Sequence, residues 1–230
     1  MLNLSDRILF EDNHLIVVNK LSSEIVQGDK TGDKPLSDSV KAYIRQKYAK
    51  PGEAFLGVVH RLDRPVSGAV IFARTSKSLA RLNNMLREHK IEKVYWAVVK
   101  GKPKEEAAKL VHYLSRNEKQ NKTYVNDNDG KDRLKAELEY RQLAQSDNYF
   151  LLEVKLLTGR HHQIRAQLAH IGCPIKGDLK YGFPRSNTGA FIHLHARKIT
   201  FKHPVKDDII SLVAPTPSDP VWDYFQALLT

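Results

Sequence analysis

The stretch ILFEDNHLIVVNK, Ile8 to Lys20, places two short apolar runs on either side of Asp12-Asn13, the pattern of two strands joined by a tight turn. A polar segment, SSEIVQGDKTGDKP, follows. Ser37 is then placed to cap a helix running through Tyr48, with Val40, Ile44 and Tyr48 on one face. Gly57 to Arg61 and Ala69 to Ala73 read as strands, separated by the polar loop LDRPVSG. Ser76 opens a second helix with Leu79, Leu82 and Leu86 at helical spacing. KVYWAVVK, Lys93 to Lys100, is a β-branched and aromatic strand. The lysine-rich stretch after it, ending in VNDNDGKDR, is expected to be loop-rich and mobile at its Asn-Asp-Gly tip. Leu138 to Leu143 and Tyr149 to Leu157 form a hairpin pattern, and Thr158-Gly159 leads into a helix, HHQIRAQLAHI, that ends near Gly172 with Pro174 beyond it. Ala190 to Phe201 alternates as a long strand, and Asp219-Pro220 starts a short last helix. Strands outnumber helices and many are joined as hairpins. The expected class is α+β, with a mixed, largely antiparallel sheet and flanking helices.

With 230 residues the chain can bury a substantial core, and the expectation is a single domain over residues 1–230. No apolar run approaches a bilayer span, and MLNLSDRILFEDN has no basic region followed by an apolar stretch, so neither membrane nor secretory signal is expected. The one cysteine, Cys173, excludes an intrachain disulfide and is expected to be a small buried apolar residue in a cytoplasmic protein. Thirty-seven Lys and Arg stand against 26 Asp and Glu, a net charge of +11, which suits a polyanionic partner but does not choose between RNA and DNA.

Three segments carry residues able to do chemistry. In His60-Arg61-Leu62-Asp63-Arg64-Pro65-Val66-Ser67-Gly68, Asp63 lies between two arginines in a loop leaving one strand for another. Such a carboxylate stays ionised at neutral pH and can attack an electrophilic carbon or take a proton; a surface Asp-Arg turn is the plainer reading. In Thr158-Gly159-Arg160-His161-His162-Gln163-Ile164-Arg165, a helix start carries Arg160, Gln163 and Arg165, planar donors suited to phosphates and uracil-like edges; an exposed basic helix start would look the same. Tyr95 shares a strand face with Lys93 and Ala97 and could stack on a nucleobase or simply fill a core. His162 and His170 are eight residues apart and His193 and His195 alternate on one strand face. With no cysteine pair or carboxylate partner evident, no metal site is expected. No GxxxxGK[ST] or GxGxxG pattern occurs, so no nucleotide cofactor is implied.

These segments, in order, resemble the blocks of the RluA family of pseudouridine synthases. HRLDRPVSG matches the family's H-R-L-D-x-x-T-S-G, and KVYWAVVKG its K-x-Y-x-A-x-V-x-G. LLTGRHHQIRAQLAHIGCPIKGDLKYG is similar to its T-G-R-x-H-Q-I-R and G-x-P-I-x-G-D-x-x-Y-G blocks, and FIHLHARKITFKHP to its closing strand. The likeness covers roughly residues 8 to 214. It implies the family's catalytic fold with a central RNA-binding cleft and an enzyme that flips a uridine out of structured rRNA or tRNA and isomerises it to pseudouridine. By the same resemblance, Asp63 is the essential carboxylate, as nucleophile or base, Tyr95 stacks on the target base, and Arg165 pairs with Asp63. Arg61 helps displace the base, Leu194 walls the uracil pocket, and Arg64, Arg160, His162 and Gln163 bind RNA or brace the site. No cofactor is needed, DNA is not an expected partner, and a monomer is expected.

Two departures stand out: Val66 replaces the family's Thr, and Lys20-Leu21-Ser22-Ser23 stands where relatives have Lys-Pro-x-Gly, which puts the local turn in doubt. The chain also opens directly on the catalytic blocks, so no separate N-terminal RNA-binding domain is expected, and Lys119 and Lys122 become candidates for RNA selection. Two other functions fit parts of the pattern. An RNA-binding or RNA-folding protein without essential catalysis would not need Asp63, Tyr95 and Arg165 together. A hydrolase of glycosidic bonds would need a second carboxylate near Asp63, for which Asp178 and Glu153 qualify by type only.

Overall fold

The computed structural model describes residues 3–29, 31–49 and 52–229, so Lys30 of the polar segment lies outside the described residues. The chain falls into two compact units, residues 1–91 with 196–216 and residues 92–195 with 217–230.

In the first unit the opening stretch folds as expected into β1 (Ile8–Glu11) and β2 (Leu15–Lys20), antiparallel, with Asp12 Oδ1 accepting from the His14 and Leu15 amides at the turn. β2 pairs in turn with β4 (Ser67–Ala73), every residue of which is buried. The strand order continues to β10 (Leu194–Lys202), which belongs to this unit from Ala196 onward and pairs with β11 (Ile209–Val213). The strand expected over Gly57 to Arg61 shortens to β3 (Gly57–Val58), because the chain leaves the sheet into the Asp63 loop. α1 (Leu36–Lys47) starts ahead of Ser37, which is buried rather than a cap. The Ile25 and Val26 carbonyls accept from the Leu36 and Ser37 amides, so the first turn is satisfied without a side-chain cap. α2 (Ser76–Arg87) is capped one residue earlier than expected, by Thr75, whose hydroxyl accepts from the Ser78 amide. Leu15, Val17, Ile71, Leu82, Ile199 and Phe201 form the core of this unit.

The second unit is built from β5 (Glu92–Val99), β6 (Ala107–Asn117), β7 (Lys122–Asn126), β8 (Leu134–Gln145) and β9 (Phe150–Leu156), in the order β5-β9-β8-β6-β7 and antiparallel throughout. The lysine-rich stretch expected as loop is therefore largely the β6–β7 hairpin. α3 (Gln163–His170) follows β9, and a 3-10 turn, Leu179–Tyr181, follows α3. α4 (Pro220–Ala227) has Pro at its first position and Asp219 as its cap, as expected, and places Trp222 and Phe225 against Val98 and Leu151. Cys173 is buried and unpaired. The α+β class with a largely antiparallel sheet is the one expected.

Candidate active site

The first unit supplies the Asp63 loop, and its backbone is clasped from below. Lys20, at the end of β2, has no exposed surface, and its Nζ donates to the carbonyls of Leu21 (2.9 Å), Arg64 (3.2 Å) and Val66 (2.6 Å). Burial pushes the Lys20 ammonium down to about 7, with Glu24 and then Asp63 pulling it back upward. The Ser23 amide donates to the Arg64 carbonyl at 2.9 Å, and the Val66 amide to that of Asp63 at 3.0 Å. Ser23, in the turn that the family resemblance put in doubt, has φ 77°, so a side chain is carried in left-handed backbone. Gly68 closes the loop at φ 118°; a Cβ there would meet the Ala196 backbone at 2.4 to 2.7 Å. Val66 is buried, so the methyl that replaces the hydroxyl of Thr packs inward.

Within this frame Asp63 and Arg64 are half-buried and Arg61 is exposed. The Arg64 guanidinium is engaged: it donates to Asp33 Oδ2 at 2.6 Å and Thr31 Oγ1 at 2.8 Å and lies 3.7 Å from Asp29. It ties the loop to Asp29, Thr31 and Asp33.

The second unit supplies Tyr95, Leu194 and the α3 residues. Tyr95 lies on β5, 7% exposed, and Leu194 at the start of β10, 4% exposed. His162 stands just ahead of α3 at φ 50°, a bend that lets the chain turn from the Arg160 segment into the helix. Gln163 is spent on that bend: its Oε1 accepts from Thr158 Oγ1 and the Arg160 amide, both at 2.9 Å, and its Nε2 donates to the Glu137 carbonyl. Arg160 is exposed, with its Nε on the Lys135 carbonyl. His161 stacks on His162 with ring centroids 3.8 Å apart.

Arg165 is 5% exposed and makes a fork-to-fork pair with Asp178, Nε to Oδ2 at 2.7 Å and Nη2 to Oδ1 at 2.9 Å. The Tyr181 ring lies 5.1 Å from its guanidinium carbon. Tyr181 Oη accepts from the Thr123 amide and bonds His162 Nδ1, both at 2.9 Å, so one phenol links β7, His162 and Arg165. Asp178 and Tyr181, together with Lys20, are site-building residues to which the sequence reading gave no such role. The GDLKYG block was the available signal for the first two. Gly177 in that block has φ 88°, and a Cβ on it would strike Asn187 and the Phe191 carbonyl.

The first unit thus offers a fixed carboxylate-bearing loop, and the second a rigid arginine, a buried tyrosine on a strand and exposed cations at a helix start. Exposed cations of this kind can hold an anionic polymer, and a carboxylate can act on a sugar or a base.

The chain matches the family model described as RNA pseudouridylate synthase over residues 14–170. It is 32% identical to a ribosomal large subunit pseudouridine synthase C of Vibrio parahaemolyticus over 221 residues, 94% of this chain and 67% of that protein. It is also 32% identical to an uncharacterized RNA pseudouridine synthase of Synechocystis over 232 residues, 99% of this chain and 69% of that protein. Among solved structures it is similar in fold to human RNA Pseudouridylate Synthase Domain Containing 4, with a TM-score of 0.82 at 22% identity, covering 98% of this chain and 94% of that one.

Proposed function

The chain belongs to the RNA pseudouridylate synthase family, and from that premise we propose that it isomerises a specific uridine to pseudouridine in structured ribosomal or transfer RNA, with Asp63 as its essential carboxylate. The supporting observation is that the family match runs from β2 through α3 and so contains the Asp63 loop, Tyr95 and Arg165. The net charge of +11 suits the RNA backbone. In this reading the target uridine leaves the stack, Arg61 takes part in its displacement, and Tyr95 and Leu194 receive the base. Asp63 acts on the sugar or the base while the N1–C1′ bond breaks. The uracil turns, C5 bonds to C1′, and the C5 proton is lost to solvent as N1 gains one. Substrate and product are isomers, so no redox partner or group donor is consumed. Arg165, steadied by Asp178 and Tyr181, is the cation that keeps the carboxylate aimed. Arg160 and His162 contact or brace the RNA, and the working form is a monomer.

The test is release of tritium from RNA labelled at uracil C5, taken from cells lacking the gene. Wild-type protein is expected to release tritium, and Asp63→Asn to release none while binding the same RNA with unchanged affinity. Full turnover by Asp63→Asn would sink the role of Asp63. RNA binding without release by folded wild type, on RNA that contains the target, would favour the RNA-binding reading, and free uracil among the products would favour hydrolysis.

A further inference from the structure

Three side chains with metal-ligand chemistry converge in the second unit, and the isomerisation assigns none of them a role. His112 comes from β6 and is 9% exposed, Asp127 directly follows β7, and His170 is the last residue of α3. Asp127 Oδ1 lies 2.9 Å from His170 Nε2 and 3.9 Å from His112 Nε2, and all three ligand atoms fall within 4.8 Å of one another. The two imidazoles meet edge to face with centroids 5.0 Å apart. An ion with bonds of about 2.0–2.2 Å holds tetrahedral ligands roughly 3.3 Å apart, so the cluster needs adjustments of about an ångström. With Asp127 already 2.9 and 3.9 Å from the two rings, the widest separation is between the imidazoles, and the His170 ring, 34% exposed, must turn toward buried His112 to close it.

Gln167 supplies an independent observation. Its side chain has no exposed surface; Nε2 donates to His112 Nδ1 at 2.9 Å and to the Ala136 carbonyl at 3.3 Å, while Oε1 is buried with no hydrogen-bond partner among the described residues. Turning the amide over lets Oε1 accept from an Nδ1–H. That tautomer leaves the Nε2 lone pair of His112 facing Asp127 and His170. Metal-bound imidazoles have their second N–H held in this manner. The turn sets Oε1 near the Ala136 carbonyl oxygen and takes Nε2 from its present acceptors, a cost that the bound cation has to offset.

We propose that His112, Asp127 and His170 form a binding site for a divalent transition-metal ion of zinc's class. Two imidazoles and one carboxylate without a thiolate suit zinc, cobalt or nickel over magnesium or calcium. Water completes the shell on the open side. The ion ties the β6–β7 hairpin to the end of α3, the helix that carries Arg165, so its role is to brace that helix. The histidines lie far apart in sequence on different elements, and for that reason no spacing in the chain revealed them.

Isothermal titration of chelator-treated, tag-free full chain with zinc chloride tests the site. One equivalent is expected to bind wild type. Asp127→Asn and His170→Ala should each weaken binding by more than about tenfold, beyond the low end of what loss of an outer-sphere partner costs. The same zinc concentration should raise the melting temperature of wild type and raise that of those two variants less. Asp127→Asn lies at an exposed position and keeps the test open should His170→Ala fold poorly. His89→Ala, at an exposed histidine outside the cluster, should bind zinc as wild type does. The proposal is overturned if wild type shows no saturable binding, if both cluster variants bind as tightly as wild type, or if His89→Ala loses as much affinity as they do.

Discussion

Lys20 joins three carbonyls that would otherwise face a dry interior, two of them on the Asp63 loop. Lys20→Met keeps the bulk of the stem and takes the donor from all three carbonyls, of which that of Arg64 keeps the Ser23 amide, so it should cost about 2–4 kcal/mol in urea denaturation. Loosening of the loop should lower kcat in tritium release more than it raises KM. An unchanged kcat in folded Lys20→Met would show that the clasp does not govern the loop. Asp178→Asn removes one charge that faces buried Arg165 and should lower stability in urea denaturation, with a fall in kcat if Arg165 steers the carboxylate; full activity would remove Asp178 from the machinery. Asp63, Tyr95 and Arg165 were candidates in the chain because each sits in a block that resembles the family's. Lys20 could not, since a lysine ending an apolar strand is equally compatible with solvent. Asp178 was weighed only as a spare carboxylate, because nothing in its spacing joins it to an arginine thirteen residues earlier.

Between the Asp63 loop and its strand, Gly68 allows β4 to run against the Ala196 backbone. Gly68→Ala should destabilise by about 1–3 kcal/mol or more, since the added methyl meets backbone atoms that have no rotamer to retreat to. Thermal denaturation checks this, and a neutral substitution would mean that the two strands part easily. Most strands were readable from alternation and β-branched content, β4 and β5 above all. The β6–β7 hairpin was not. Its lysines and asparagines have low strand propensity, and its residues are mostly half-buried or exposed, so no apolar stripe announces it. It is held instead by ladder pairing with β8 and by Thr123, whose hydroxyl bonds the His161 ring and carbonyl. The start of α1 was misplaced for a related reason: carbonyls of a distant segment replace the side-chain cap that the sequence reading looks for.

Across the whole molecule, stability should fall on the acid side for an identifiable reason. Burial holds the His193 imidazole below its ordinary value, against the pull of Asp219. Asp219 is itself held low: burial opposes this, but bonds from His193 and the Val221 and Trp222 amides prevail. Both groups bind protons less readily folded than unfolded. The unfolded chain therefore takes up more protons as pH drops, and stability is lost below about 6.5 for His193 and again in the carboxylate range for Asp219. His193→Gln should flatten the first part of that decline in urea titrations between pH 5 and 7; an unaltered slope would place its origin elsewhere.

The two units are not consecutive in the chain: residues 217–230 return to the second unit after 196–216 have completed the first. Trp222 and Phe225 therefore reach their places beside Val98 and Leu151 only after everything ahead of them has been synthesised. On the ribosome, the apolar surface of β5 and β9 stays uncovered until α4 emerges from the exit tunnel. A chain ending at residue 216 and held clear of the tunnel by an appended linker should accordingly be cut by protease within residues 92–195 and spared in its first unit, and restoring residues 217–230 should close that window.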